Sequence, residues 1–342
     1  MGLPENNRAK IHNKYPKGKR NLITDVPGVK VGHVTLQDDE KDIHTGVTAI
    51  LPHEGNLFKD KVAAGVSVIN GFGKSAGLVQ IEELGNIESP IIMTNTFSVG
   101  TALNASLRYM LADNEDIGVT TCTVNCVVTE CNDGVLNDIR GMHVTEEDVL
   151  DALKNAGDDF EEGGVGSGTG MCCMGIKGGI GSASRMVKVK DQEYTLGAIL
   201  MSNFGELGNL RIDGQKISTP IPKTEDSKDK GSVIIVIGTD LPLSDRQLRR
   251  VAKRATVGLG RVGSYLGNGS GDIAIAFSTS NIVPHYCESG IVETKMVHDD
   301  ALDSIFEATA EAVEEAVISS LYHAETVKGI RGKTLYGLRE FI

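Results

Sequence analysis

The chain has 342 residues, of which 40% are apolar and 23% charged, a composition typical of a folded globular protein. A formal net charge of −12 argues against a nucleic acid partner, because no cationic surplus exists to replace counterions on a phosphate backbone. No apolar run reaches the roughly 18–20 residues of a membrane span, and residues 1–20 lack an apolar signal segment. We therefore expect a cytoplasmic protein with a small-molecule or peptide substrate and no membrane partner.

Short segments rich in Val, Ile and Thr are bounded by Gly, Pro or Asn, a pattern that predicts buried strands. They are residues 47–51, 65–69, 91–95, 118–128, 195–200, 233–237 and 272–278. Helices are predicted after the capping residues Ser98, Thr145 and Ser244, where apolar side chains recur at helical spacing. The longest predicted helix begins at Asp299 or Asp300.

One loop of unusual composition precedes a strongly strand-like run. Residues 214–231 contain two prolines and no aromatic residue, with a run of mixed charge over residues 223–230. This composition indicates an exposed and poorly packed loop. It ends at Gly231 and Ser232, and the next five residues read VIIVI. A domain or processing boundary is expected at this junction.

Several familiar motifs are incomplete in this chain. The segment NGFGKS, at residues 70–75, resembles a phosphate-binding loop, but Val68 occupies the position where the first glycine belongs. The glycine-rich residues 163–170 are interpreted as a tight structural loop or as the lining of a pocket. The histidines lack H-x-x-x-H and H-E-x-x-H spacing, so we predict no metal and no cofactor. The six cysteines lack a C-x-x-C pair and are interpreted as reduced thiols.

The junction between Gly231 and Ser232 offers a nucleophile, although no G-x-S-x-G elbow is present. A serine at the head of a core strand can attack the preceding carbonyl, and hydrolysis of the resulting ester cuts the chain. Glycine before it has no Cβ to hinder that attack. The freed α-amine has a pKa of about 7.7–8.0 and can act as the base for its own hydroxyl. An inert serine at a loop–strand junction is the alternative interpretation.

Two further segments carry side chains suited to this chemistry. In GNGSGD, residues 267–272, Ser270 and Asp272 are two residues apart and so project to the same side of an extended segment. A hydroxyl backed by a carboxylate can orient the attacking serine, although capping of a turn is also possible. In MSNFG, residues 201–205, Asn203 follows a predicted strand, where its amide can donate to an oxyanion or form a turn.

The sequence resembles the DmpA-type peptidases, the S58 family of L-aminopeptidases/D-esterases and β-aminopeptidases. The matching stretches are residues 21–34 (NLITDVPGVKVGHV), 45–51 (TGVTAIL), 89–101 (SPIIMTNTFSVGT), 132–139 (NDGVLNDI), 163–185 (containing KGGIGSASR), 202–205, 231–241 (GSVIIVIGTDL) and 267–272. The resemblance implies an α+β fold, an αββα four-layer sandwich of the N-terminal-nucleophile type. It also implies one domain over residues 1–342, self-cleaved into 1–231 and 232–342, and a homotetramer of processed heterodimers.

The resemblance also assigns roles to the residues at the cut and around it. It makes Ser232, freed by cleavage after Gly231, both nucleophile and base, and it makes Asn203 the oxyanion donor. Ser270 and Asp272 match the family's Ser-x-Glu pair, with Asp in place of Glu. These assignments imply that the hydroxyl at the cut is the reacting group.

The segment TECNDG carries the residues that the resemblance assigns to substrate binding. Glu130 matches the acidic residue that holds the free ammonium of the substrate, with a surface or capping glutamate as the alternative. Where the family usually carries a Tyr, in or just after this segment, Asn132 and Val135 stand in this chain. The departure affects the expected substrate preference more than the expected self-cleavage.

The expected function is a serine aminopeptidase that releases N-terminal residues from short peptides, amides or esters through an acyl-enzyme on Ser232. Two alternatives remain open. One is a self-cleaving acyltransferase, which needs the same nucleophile. The other is an uncleaved, non-catalytic homologue that acts as a binding protein, which the missing Tyr and the presence of Asp272 favour.

Overall fold

The computed structural model describes residues 11–221 and 231–342. The α-helices of this part of the chain are α1 (Leu78–Leu84), α2 (Val99–Ala112), α3 (Glu146–Lys154), α4 (Asp245–Arg261) and α5 (Leu302–His323). The strands are β1 (Lys30–Asp38), β2 (Ile43–Leu51), β3 (Asp60–Gly71), β4 (Asn86–Ile87), β5 (Ile91–Asn95), β6 (Val127–Cys131), β7 (Cys172–Cys173), β8 (Ile176–Lys177), β9 (Gly179–Val189), β10 (Gln192–Asn203), β11 (Arg211–Ile212), β12 (Gln215–Lys216), β13 (Ser232–Thr239), β14 (Gly271–Pro284), β15 (Val327–Lys328) and β16 (Thr334–Leu335).

Two main sheets form the centre of the fold. The four-stranded sheet has the order β1-β2-β5-β6, and the six-stranded sheet has the order β4-β3-β14-β13-β10-β9. Strands β5 and β6 are parallel, as are β13 and β14, and the other neighbours in both sheets are antiparallel. Strand β13 therefore lies inside the six-stranded sheet, with β14 on one side and β10 on the other.

Three apolar cores hold four layers together. Between the sheets, Ile91 and Val127 pack in one cluster with Met201, Ile234 and Ile275. Helices α2 and α3 cover the outer face of the four-stranded sheet, and α4 and α5 cover the outer face of the six-stranded sheet. The expected αββα sandwich is confirmed.

Strand β13 has both faces buried, which explains its uninterrupted apolar sequence. Side chains alternate along a strand, so Ile234 and Val236 enter the core between the sheets while Val233 and Ile235 pack beneath the helices. The strand predicted over residues 233–237 is confirmed and extends by one residue before it and two after it. Its first residue is Ser232.

The predicted helix starts are largely confirmed. Ser244 and Thr145 each accept a hydrogen bond from the third residue of their helices, which satisfies a backbone N–H that has no partner within the helix. Ser98 precedes α2 as predicted but makes no capping bond. Asn95 takes that role one turn earlier, because its Oδ1 accepts the N–H groups of Phe97 and Ser98 at 3.0 and 3.1 Å.

The strand predicted over residues 118–128 is wrong for residues 118–126, since β6 covers only Val127–Cys131. The carbonyl of Asp116 accepts the N–H groups of Val119, Thr120 and Thr121, which closes a turn. Gly118 has a φ of 72°, in the left-handed region that favours glycine. The β-branched composition of this segment therefore belongs to a turn rather than to a strand.

The loop predicted over residues 214–231 lies only partly within the described residues. Gln215–Lys216 forms strand β12 with β11, and the run of mixed charge at residues 223–230 lies outside them. Within residues 11–221 and 231–342, none of the helices has both the length and the hydropathy needed to cross a bilayer.

Candidate active site

Ser232 lies between two strand ends of the six-stranded sheet. It is opposite Asn203, the last residue of the antiparallel strand β10, and opposite Gly271, the first residue of the parallel strand β14. The residue is 6% exposed. Because Ile234 and Val236 point between the sheets, alternation places the Ser232 side chain on that same face. Its hydroxyl therefore lies at the end of the space between the sheets.

Gly231 packs against backbone and has no room for a side chain. A Cβ on Gly231 would overlap the carbonyl oxygen of Asn203 and would lie 2.8 Å from Cα of Phe204. The Gly231 carbonyl accepts the N–H of Gly271 at 3.2 Å. The peptide bond to Ser232 is thus held against both neighbouring strands, and only glycine fits before it.

The amide of Asn203 is oriented by two backbone groups. Its Nδ2 donates to the carbonyl oxygen of Asn132 at 3.0 Å, and its Oδ1 accepts the N–H of Cys172 at 2.9 Å. A carbonyl can only accept and an N–H can only donate, so these partners settle which end of the amide carries the protons. The amide has a second Nδ2 proton, which is suited to an oxyanion beside Ser232.

Ser270 and Asp272 are joined by a hydrogen bond next to the end of β13. The Ser270 Oγ donates to Oδ1 of Asp272 at 2.6 Å, and both side chains are buried. They flank Gly271, which is the register partner of Ser232. The hydroxyl and carboxylate are thus one strand away from Ser232.

Glu130 lies on β6 in the facing sheet and is 2% exposed. The backbone N–H of Lys74 donates to its Oε1 at 2.9 Å, and the hydroxyl of Thr96 donates to its Oε2. Among the described residues, no Lys, Arg or His side chain lies within ion-pair distance of this carboxylate. Glu130 is therefore a buried carboxyl group, oriented by two neutral donors, with no cation of the described residues beside it.

The loop of residues 71–75 connects Glu130 to the serine strand ends. Besides the bond from Lys74, the N–H of Phe72 donates to the carbonyl of Ser270 at 3.3 Å. The Cβ position of Gly73 lies 3.5 Å from Oε1 of Glu130 and 4.0 Å from Cα of Gly271. A methyl group at Gly73 would therefore contact both the Glu130 carboxylate and the backbone of β14 beside Ser232.

Asn132 is exposed and closes a local turn through its side chain. Its Oδ1 accepts the N–H of Gly134 at 2.9 Å, and its backbone carbonyl accepts the Nδ2 of Asn203. The bond to Asn203 links the four-stranded sheet to the six-stranded sheet beside Ser232. Asn132 and Val135 stand in the region where the resemblance implies a Tyr, and neither side chain carries an aromatic hydroxyl.

Asp133 is buried directly behind this turn. Burial raises the pKa of its carboxyl to about 7, although the nearby polar side chains of Thr45, Asn137 and Asn95 oppose the shift. Desolvation disfavours the charged form of an acid, which explains the direction.

The glycine-rich residues 163–170 form a tight structural crossing between the two sheets. The N–H of Ser167 donates to Oγ1 of Thr48 on β2 at 3.1 Å, and a Cβ on Gly168 would lie 2.5 Å from the backbone nitrogen of Ile180 on β9. Such close approaches explain the glycines. The segment leads into Cys172, whose N–H orients Asn203, so its effect on the site is indirect.

Sequence reasoning missed three contacts that shape this site. They are the bonds to Glu130 from Lys74 and Thr96, and the bond from Cys172 to Asn203. Two of the donors are backbone N–H groups, which no residue type encodes. The segment NGFGKS lacks the first glycine of a phosphate loop, but its two glycines do indicate a close backbone approach.

Comparison with known proteins identifies the class of this fold. A crystal structure of the L-aminopeptidase D-Ala-esterase/amidase from Ochrobactrum anthropi, described as a variant of the Ntn hydrolase fold, matches with a TM-score of 0.89 and 38% identity, covering 96% of this chain and 94% of the other. A crystal structure of a Pyrococcus horikoshii OT3 protein matches with a TM-score of 0.91 and 52% identity, covering 96% and 94%. The chain has the Ntn hydrolase fold.

Sequence comparisons give the family. The model of peptidase family S58 matches residues 21–335. A β-peptidyl aminopeptidase from Sphingosinicella microcystinivorans is 38% identical over 345 residues, covering 94% of this chain and 86% of the relative. The chain belongs to peptidase family S58 and is an aminopeptidase, as the resemblance implied.

Proposed function

We propose that this aminopeptidase cleaves itself between Gly231 and Ser232 and then releases N-terminal residues from short peptides, amides or esters through an acyl-enzyme on Ser232. The observation that carries the proposal is the buried carboxylate of Glu130, which has no cation of the described chain beside it. A buried charge without a partner is unfavourable. The free ammonium of a substrate supplies the missing cation and places the adjacent scissile bond beside Ser232.

Self-cleavage begins with attack of the Ser232 Oγ on the carbonyl carbon of Gly231. The peptide C–N bond breaks, its nitrogen takes the hydroxyl proton, and an ester joins Gly231 to the Ser232 oxygen. Water hydrolyses that ester, which leaves a carboxylate on Gly231 and a free α-amine on Ser232. The N–H of Gly271, already bonded to the Gly231 carbonyl at 3.2 Å, stabilises the charge that develops on this oxygen.

Peptide hydrolysis then uses the freed amine as a general base. Once the ammonium of the substrate is bound to Glu130, the Ser232 Oγ attacks the first carbonyl and its proton passes to the α-amine. The second Nδ2 proton of Asn203 stabilises the oxyanion. The α-amine returns the proton to the leaving nitrogen, and water then hydrolyses the acyl ester with the same amine as base.

Ser270, Asp272 and Asn132 have supporting roles in this proposal. The carboxylate of Asp272 accepts a hydrogen bond from the Ser270 hydroxyl, so the Ser270 oxygen can in turn accept a hydrogen bond from the α-amine of Ser232 and orient that amine. The exposed side-chain amide of Asn132 contacts the bound substrate. No cofactor takes part in these steps, since each proton and each acyl group is carried by a named residue or by water.

Relatives suggest the range of substrates to test. The relative from Sphingosinicella microcystinivorans is named for β-peptidyl substrates, and the Ochrobactrum anthropi enzyme for L-amino acid and D-Ala ester substrates. We propose short substrates of both backbone types for this chain. Matched α- and β-alanyl amides, together with their N-acetylated forms, test the dependence on a free amine directly.

Intact-mass spectrometry of the purified protein and of Ser232→Ala tests the proposal. We expect the wild type to give two chains that meet between residues 231 and 232 and together exceed the uncleaved mass by one water. Ser232→Ala should stay at about 36 kDa, the mass of the whole chain, and be inactive. The exposed Ser289→Ala variant is the matched control and should be cleaved and active.

Four results would overturn parts of this proposal. Cleavage of Ser232→Ala would remove the nucleophile assignment, and an intact wild type that hydrolyses peptides would remove the freed amine as base. An intact and inactive wild type would support a binding protein. Transfer of the acyl group to an added amine in preference to water would support an acyltransferase.

We also propose a homotetramer of processed heterodimers in the cytoplasm. Large apolar side chains such as Val79, Leu84, Val119 and Ile291 are exposed, which supports burial between copies. None of the six cysteines forms a disulfide in the described residues, which supports a reducing compartment. Light scattering during gel filtration tests the assembly, and a monomeric mass of about 36 kDa would exclude it.

A further inference from the structure

A buried ammonium lies close behind the amide of Asn203. Lys177 ends β8 and has no exposed surface. Its Nζ donates to the carbonyl of Gly168 at 3.0 Å and to that of Gly178 at 2.6 Å. Within residues 11–221 and 231–342, no carboxylate lies within ion-pair distance of it, and burial lowers its pKa to about 7. A cation held in this way is costly, and an apolar side chain of the same length would avoid that cost.

The two carbonyls lie on either side of the hairpin formed by β7 and β8. Gly168 precedes the hairpin and accepts the N–H of Met171 at 3.3 Å. Gly178 follows it and donates its N–H to the carbonyl of Met171 at 2.9 Å. The ammonium of Lys177 therefore closes the base of the hairpin. Its register partner across the hairpin is Cys172.

Cys172 is the residue of the hairpin that contacts the site. Its N–H donates to Oδ1 of Asn203 at 2.9 Å, opposite the bond from Nδ2 to the carbonyl of Asn132. The terminal torsion of an asparagine is broad, so these two partners, rather than a rotamer preference, fix the amide plane. Movement of the hairpin would free Oδ1 and let the amide rotate.

We propose that Lys177 is a positioning residue for the oxyanion donor. Its ammonium fixes the hairpin of β7 and β8, and the hairpin fixes the Asn203 amide with Nδ2 toward the reacting carbonyl. This inference rests on the proposed function, in which Asn203 stabilises the oxyanion. Lys177 itself does not touch the substrate.

A donor that is fixed in place acts mainly on the transition state. The oxyanion exists only there, and the substrate ammonium is bound elsewhere, by Glu130. Loss of the Lys177 hydrogen bonds to the hairpin should therefore lower kcat while KM changes little. A merely structural lysine would instead lower the amount of folded enzyme and leave the kinetic constants of the folded fraction unchanged.

Lys177→Met tests the role, because methionine is also unbranched and flexible but donates no hydrogen bond. We expect kcat to fall about 10- to 100-fold, less than the 10²–10³ typical of deleting an oxyanion donor outright, with KM within about twofold. The matched control is Lys61→Met, another largely buried lysine, whose partner Glu88 is outside the site. All preparations are incubated until intact mass shows complete cleavage and are compared per folded, cleaved enzyme.

A transition-state analogue provides a second readout. With a 1-aminoalkyl boronic acid, the Ser232 oxygen adds to boron, the proton passes to the α-amine, and a boron-bound oxygen occupies the oxyanion position. A free amino acid binds the ammonium subsite alone. In Lys177→Met the inhibition constant of the boronate should rise by the factor by which kcat falls, while that of the amino acid stays unchanged. Equal weakening of both ligands, or an unchanged kcat, would overturn the positioning role.

Lys177→Gln keeps the test available if the methionine variant does not fold. Its amide retains two N–H donors, so kcat should lie between the values of the wild type and of a variant without donors. An unchanged kcat in this variant would also overturn the role. A wild type with neither peptidase activity nor boronate inhibition would overturn the proposed function instead, which separates the two failures.

Discussion

The hydroxyl of Ser270 donates to the carboxylate of Asp272 at 2.6 Å, and both side chains are shielded from solvent. Because the Ser270 proton is directed at Oδ1 of Asp272, the Ser270 oxygen is left to accept a hydrogen bond from another donor. In the proposed mechanism that donor is the α-amine freed at Ser232. The direction of the hydrogen bond between Ser270 and Asp272 therefore decides whether the lone pair of the α-amine faces the Ser232 hydroxyl.

Replacement of Asp272 tests that polarity. We expect Asp272→Asn to lower kcat about 100-fold, within the range of lost proton-transfer assistance, because an amide can donate to Ser270 and reverse its hydrogen bond. Asp272→Glu restores the carboxylate of the family pattern and should retain most of the activity. Steady-state kinetics of both variants after complete cleavage provide the measurement. Equal losses in the two variants would contradict the polarity argument.

Replacement of Glu130 separates substrate binding from self-cleavage. Glu130→Gln should raise KM about 10- to 100-fold, since one hydrogen bond to a charged group contributes roughly 1.5–3 kcal/mol. Self-cleavage should proceed at the wild-type rate, because the internal peptide bond presents no ammonium. The exposed Glu83→Gln variant on α1 is the matched control. A loss of self-cleavage in Glu130→Gln with an unchanged KM would contradict the assignment.

Gly231→Ala tests the packing at the cut. A Cβ there would overlap the carbonyl of Asn203, so we expect the junction to move away from β10 and the self-cleavage rate to fall by at least about 100-fold. Gly260→Ala, on α4 with open space around its Cβ position, is the matched control and should be cleaved normally. A time course of intact mass gives both rates. Rapid cleavage of the Gly231 variant would show that the close packing is not needed.

The buried carboxyl of Asp133 predicts a pH-dependent stability difference. Its folded pKa is about 7, whereas an unfolded aspartate titrates near 4, so only the unfolded state loses this proton between those values. The wild type therefore loses stability from this group as pH rises from about 4 to 7, and no more above that. Thermal midpoints of Asp133→Asn minus those of the wild type should rise across this window and then level off. A difference independent of pH would contradict the raised pKa.

The strands that the sequence predicted best are those with both faces buried. The run at residues 233–237 has one interpretation, because five consecutive apolar residues after a polar loop fit only a core strand. The Thr- and Val-rich residues 118–126 have the same propensity but form no strand, and residues 119–121 turn around the carbonyl of Asp116. Amino-acid composition indicates the β-propensity of a segment, but it does not indicate which backbone carbonyl its N–H groups will bond to.

The candidate site shows a similar division. Local patterns indicated Ser232, Asn203 and the Ser270 segment separately, and the register of β10, β13 and β14 shows that they are neighbours. The roles of Lys74 and Cys172 depend on backbone N–H groups, which are the same in every residue but proline. Lys177 was visible only as part of a stretch shared with a family, because a buried lysine and an exposed one look alike in a sequence.

The strand order has a consequence for the lifetime of the protein after the proposed cut. A cut before β13 leaves β13 and β14 of the short chain inserted between β3 and β10 of the long chain. The two pieces can separate only if the middle of the sheet opens and both of its faces are exposed. Reassembly would then require one polypeptide to thread two strands into a gap in another. After the proposed cut, the protein should therefore stay folded because it unfolds slowly, and not because unfolding and refolding are in equilibrium. Once denatured, it should not regain activity.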